Sequence, residues 1–177
     1  YLLPVADHQN LEGSLEQAKR HLTAQIESTG LVRFHGLPDS PINGKLGCFI
    51  TPDADNAALS WRISGLDSND PRLKSMLNEL ARFRDSRGLY RTWLAELKDY
   101  RCLDPGRDPN PADIVIQMHI YLMLRKFNPL GAQNLCKAMQ LSSKNEDVWV
   151  YYAKAPLLPH LRSAELKNLG CSFPVPE

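Results

Sequence analysis

From Ile114 to Leu124 the chain is apolar at every position except Gln117 and His119. The run is far shorter than the ~20 residues that cross a bilayer. It follows Asn110-Pro111-Ala112-Asp113, a sequence that starts helices, so the pattern predicts a helix over Asp113 to Phe127. A helix that is apolar around its whole circumference has to be enclosed by other elements. This segment therefore demands a multi-helix surround, and the rest of the sequence supplies candidates for it.

Leu11, Leu15, Ala18, Leu22 and Ile26 recur at helical spacing between Asn10 and Ser28, with charged residues on the other face and Gly30 as the stop. Asp53 to Asn56 supplies a cap and negative charge at a helix start, and Ala57, Ala58, Leu59, Trp61 and Ile63 follow as a helix packed on most sides. Pro71 opens an amphipathic helix through Leu73, Met76, Leu77, Leu80 and Phe83. Further helices are predicted from Pro129 to about Leu141, over Glu146 to Lys154, and from Pro159 to Leu169. Long connections over 31–52 and 84–111 join them, the second carrying Leu89, Tyr90, Trp93, Leu94 and Tyr100, which predicts that it folds back over the helices. Amphipathic helices thus alternate with buried ones that start near residues 53, 112 and 146. The expected architecture is all-α, a single helical domain over residues 1–177 built from stacked αα hairpins with long loops.

A count of 21 Lys and Arg against 20 Asp and Glu leaves no global field for nucleic acid or an anionic membrane. No P-loop, Rossmann fingerprint, nucleophile elbow or His-Glu-x-x-His is present, so nothing calls for a cofactor or a metal. Cys48, Cys102, Cys136 and Cys171 lack the close pairing of a zinc site, and both disulfides and buried thiols fit them. The start at Tyr1 rather than Met slightly favours a processed or exported protein over a cytoplasmic one.

Two stretches resemble signatures of the α/α toroid superfamily of terpenoid cyclases and protein prenyltransferases. CFITPDADNAALSWRI is similar to the loop and inner-helix start that carries Asp-x-Asp-Asp, here Asp53-Ala54-Asp55-Asn56. FRDSRGLYRTWL followed by NPADIVIQMHIYLML is similar to a second inner-helix motif, with Gln117 and His119 at its two Asn positions and Asp113 at its Asp. EDVWVYYAKAPLLPHLRSAEL resembles the aromatic segment that follows. The resemblance covers about half the chain. It implies inner helices whose N-terminal ends meet at a cavity, with Asp55 at the position that donates a proton in class II cyclases and Asp53 as its partner. Asn56 replaces the last acid of the motif, leaving two carboxylates beside an amide. A closed toroid also needs more hairpins than this chain holds, so a partial toroid, or one completed by a homodimer or another protein, is expected.

Each candidate has an ordinary structural use as well. Asp53 and Asp55 fit helix capping, and His119 fits a hydrogen-bonded core histidine. Tyr90, Trp93, Trp149, Tyr151 and Tyr152 fit packing as well as a cavity lining. Arg82, Arg84, Arg87 and Arg91 are interleaved with acids and fit a salt-bridged face. The favoured expectation is a non-catalytic binding or scaffold domain with a pocket for an apolar small molecule or peptide, formed around Asp55, Trp93, Asp113, Gln117, His119 and Tyr151 with Tyr90 and Trp149. The alternatives are general acid catalysis by Asp55 on an isoprenoid or lipid-like substrate, and carbohydrate processing by Asp55 with Asp113.

Overall fold

The computed structural model describes residues 12–34, 49–107, 109–152, 155 and 157–175. Among them are seven α-helices: α1 (Glu12–Ala24), α2 (Ala54–Ile63), α3 (Pro71–Arg82), α4 (Leu97–Tyr100), α5 (Ile114–Phe127), α6 (Pro129–Ser142) and α7 (Leu157–Asn168). No strand forms among the described residues, only isolated bridges. The fold is all-α. Among the described residues, no helix is long and apolar enough to cross a membrane.

The apolar run that opened the sequence reading is the axis of the molecule. Every side chain of α5 from Ile114 to Leu124 is buried, and α2, α6 and α7 pack around it, while α1 covers α2. Caps define the starts. Asp70 accepts from Arg72 N ahead of Pro71, Asn128 accepts from Gly131 N ahead of α6, and Asp113 accepts from Val115 and Ile116 N at the head of α5. The stripe Leu73, Met76 and Leu80 turns α3 inward. Leu15 is the buried residue of α1, consistent with a half-solvated outer helix; the expected start of that helix at Asn10 and Leu11 lies outside the described residues. A disulfide joins Cys136 of α6 to Cys171 just beyond α7, closing a separation of 35 residues. Cys102 is also disulfide-bonded, and Cys48 lies outside the described residues.

The long connections are stitched to the N-terminal ends of α2 and α5. Ala54 N donates to Thr92 O, Thr92 N to Pro111 O, and Leu94 N to Pro52 O. A single loop around residue 92 is therefore bonded to the heads of both helices. Leu89, Tyr90, Leu94 and Tyr100 are buried, as expected of a connection that folds back.

One expected helix does not form. Over 146–152 the described residues form only a 3₁₀ turn, Glu146–Val148, and residues 149–152 leave helical geometry; residues 153 and 154 lie outside the described residues. The cause is a competing acceptor: the Asp113 carboxylate takes the N–H groups of Val150 and Tyr151 at 2.9 and 2.8 Å. Those donors are thus committed outside their own segment.

Gly30 lets the chain that leaves α1 pass close against α3. Its φ is +82°, and an added Cβ would lie 2.3 Å from the Arg72 carbonyl oxygen and 2.8 Å from Met76 Cβ. Its carbonyl also accepts from the buried Trp61 Nε1 at 2.7 Å. A Gly30→Ala variant combines left-handed strain with backbone overlap and is expected to lose more than about 2 kcal/mol. Chemical denaturation checks this, and a loss below about 0.5 kcal/mol would show that the α1 connection yields easily.

Candidate functional site

The two aspartates of the α2 motif take different roles. Asp53 is the N-cap: its Oδ1 accepts from Asn56 N and its Oδ2 from Asn56 Nδ2, both at 2.8 Å. Asn56 thus supplies two donors to Asp53 in place of a third carboxylate. Burial still pushes Asp53 up to about 7, with the Asp55 charge adding to the rise against the Asn56 hydrogen bonds. Asp55, in the first turn of α2, points to other segments. Its Oδ1 is hydrogen-bonded to His119 Nδ1 on α5, and its Oδ2 accepts from Tyr152 OH at 2.7 Å.

Behind His119 stands Arg162 of α7, buried, with its Nε 3.3 Å from His119 Nε2. A guanidinium N–H can only donate, so Nε2 is the acceptor and the imidazole proton resides on Nδ1, directed at Asp55. Both Asp55 oxygens therefore accept, one from the imidazole and one from the phenol. Arg162 is itself paired with Glu165 at 2.7 Å, and Glu165 also holds Arg62 of α2. A continuous chain of charged hydrogen bonds runs from Asp55 through the core to the α2 and α7 surface.

Asp55 opens on a cavity of about 230 Å³, lined also by Asp53, Asn56, Phe34, Thr92, Trp93, Ile116, Tyr151 and Tyr152. The rings of Trp93 and Tyr151 are held from outside it: Trp93 Nε1 donates to Asp104 Oδ2 at 3.1 Å, and Tyr151 OH donates to the same oxygen. Burial raises the Tyr151 hydroxyl well above its ordinary value, with the Asp104 hydrogen bond and charge adding to the rise. Arg107 lies 5.5 Å from the Tyr151 ring centroid and 3.7 Å from Asp104.

Of the residues singled out in the sequence, Asp53, Asp55, Trp93, Tyr151 and Tyr152 meet at this cavity. His119 lies one hydrogen bond behind it. Asp113 and Gln117 stand further back as supports. Asp113, fully buried, accepts four backbone N–H groups, from Val115, Ile116, Val150 and Tyr151, and burial raises its carboxyl despite them. Gln117 grips Tyr90 by both backbone groups, accepting its N–H and donating to its C=O at 2.8 Å each. Tyr90 and Trp149 are placed elsewhere, with Arg84 over the Tyr90 ring and Trp149 Nε1 bonded to Ser143 O. Of the arginines of 82–91, Arg82 is ion-paired with Glu79 and Arg87 with Asp85 and Asp147, whereas Arg84 and Arg91 donate to the carbonyls of Gly88 and Asn110. Arg162, Asp104, Thr92 and Phe34 were not anticipated. Arg162 is 43 residues from the histidine it touches, and no local pattern marks that pairing.

Comparison of the chain with protein-family models, curated proteins and solved structures finds no match.

The elevated Asp53 carboxyl makes stability depend on pH in a defined direction. The folded state binds its proton more tightly than the unfolded chain, so the contribution is present below about 3.8 and is lost as pH rises toward about 7. Asn keeps the capping oxygen but does not titrate. The Tm of wild type relative to Asp53→Asn should therefore fall steadily from pH 4 to pH 7, measured by thermal melts. A difference that rises over that window would reverse the sign of the shift.

Proposed function

We propose that this protein is a non-catalytic binding or scaffold domain of α/α toroid type, whose cavity at the heads of α2 and α5 receives part of an apolar or peptide ligand. The observation that carries this reading is the state of Asp55. At the position where the resembled cyclases keep a proton donor, both oxygens of this side chain accept, from His119 and from Tyr152. An acid fixed as an acceptor from both sides is poorly suited to protonating an alkene.

Two further features support binding over turnover. The cavity, at about 230 Å³, is smaller than the roughly 300 to 1,000 Å³ usual for whole small molecules, and so suits a head group or one side chain. Asn56 also removes the third carboxylate whose repulsion would help a neighbour hold a proton. The carbohydrate alternative needs a second acid across a cleft, and Asp113 is buried under four backbone donors instead. The toroid element rests on the order of the sequence motifs. It is supported by the contact between α2 and α5 and by the one loop bonded to both helix heads.

The deciding experiment pairs stability with turnover. Asp55→Asn replaces an acceptor oxygen by an amide NH₂ facing a donor, so it should lower stability by about 2 kcal/mol, the scale of a hydrogen bond to a charged group. Wild type should form no product from a panel of C10 to C20 isoprenoid alkenes and epoxides by gas chromatography. Products made by wild type and lost in an Asp55→Asn protein of unchanged Tm would establish acid catalysis and overturn the binding reading.

A further inference from the structure

The same cavity carries a statement about the chemistry of its occupant, one that rests on the binding reading above. Two of its lining residues are aspartates, Asp53 and Asp55, and none of its described lining residues is basic. The sign of the Asp55 charge is set by the hydrogen bonds behind it. Arg162 holds the Nε2 side of His119 as an acceptor, which leaves Nδ1–H to donate to Asp55, and Tyr152 donates to the other oxygen. A carboxylate is therefore maintained beside a mostly apolar hollow.

Beside Asn56, Thr92 and Ile116, the other described lining residues are aromatic. Phe34, Trp93, Tyr151 and Tyr152 contribute rings, and the polar tips of Trp93 and Tyr151 are committed to Asp104. What those two rings offer an occupant is π surface, which attracts cations. Tyr151 already carries one cation: the Arg107 guanidinium stacks near its ring, with Asp104 as its counter-charge. A neutral apolar group would gain nothing from the Asp55 charge, and an anion would be repelled by it.

We propose that the cavity binds an alkylammonium head group, a methylated ammonium carried on an apolar or peptide body, held by the rings of Trp93, Tyr151 and Tyr152 in the field of Asp55. Primary ammonium is more strongly hydrated and offers less apolar surface to the rings, so methylated ammonium is the better match. The small volume sets the scale of the bound group, with the rest of the ligand lying outside.

Choline and its neutral isostere 3,3-dimethylbutan-1-ol have the same shape and differ in charge, so they separate the cation inference from the pocket reading. Titration followed by ¹H–¹⁵N NMR should show choline bound about tenfold more tightly than the alcohol, the scale of a desolvated cation–π contact plus a carboxylate. Shifts should centre on the Trp93 indole and on the Tyr151 and Tyr152 amides. Asp55→Asn should bring the two affinities together. Trp93→Leu, which leaves the Asp55 hydrogen bonds in place, should weaken choline about tenfold and serves as the decisive variant if Asp55→Asn fails to fold. Equal binding of choline and alcohol to wild type would overturn the cation inference while leaving the pocket standing. Binding of neither would overturn the pocket reading with it. A trimethyl-lysine peptide run beside choline tells a peptide source from a free one, and tighter binding of either supports the proposal.

Discussion

A helix buried on all sides cannot leave a polar side chain without a partner, and α5 with its N-cap carries three over 113–124. Asp113, Gln117 and His119 have no access to solvent, so each must find hydrogen bonds inside the protein. The three solutions organise the surrounding structure. Asp113 recruits the backbone of Val150 and Tyr151, Gln117 recruits both backbone groups of Tyr90, and His119 is bonded to Asp55 of α2 and Arg162 of α7. The loop around residue 90, the aromatic segment near 151 and two neighbouring helices are thus tied to one interior helix by its polar exceptions. Removing any of these partners would strand a buried group, at about 1–3 kcal/mol or more for a charged one.

The candidate site is a by-product of that arrangement. The segments that satisfy α5 also carry Trp93, Tyr151 and Tyr152, and they arrive at the N-terminal ends of α2 and α5, where Asp53 and Asp55 stand. The asymmetry between those two acids follows from geometry. Asp53, at the N-cap, faces its own helix and is used by Asn56. Asp55 lies within the first turn and reaches across to α5 and to the 149–152 segment. Among the described residues, positive charge stands near the site but outside its lining: Arg162 stands behind His119, and Arg107 is balanced by Asp104.

Much of the helical framework was legible because its causes are local. Apolar spacing marked α5, and Pro71, Pro129, Asp53 and Asp113 marked helix starts that the structure keeps. The stretch after Glu146 was not legible. Its Trp and Tyr residues fit a buried helix by pattern, but the Asp113 carboxylate, 37 and 38 residues away, takes two of its backbone donors. The cavity was half legible: Asp55, Trp93 and Tyr151 stood out by type and position, whereas Thr92, Phe34 and Asp104 became relevant only through where the loops lie.

By itself, the sequence determined that the protein would be helical, where most helices begin, that the apolar run 114–124 would be interior, and that an acidic pair would sit at the head of α2. These follow from periodicity, capping and side-chain type, which act within a turn or two of chain. Only the tertiary structure decided that Asp53 caps while Asp55 accepts from His119 and Tyr152, and that Arg162 sets the direction of the histidine's proton. Those outcomes depend on contacts between residues 43, 64 and 97 positions apart. The hydrogen-bonding role of a buried polar group is set by whichever donor or acceptor packing brings to it, and separation along the chain carries no information about that encounter.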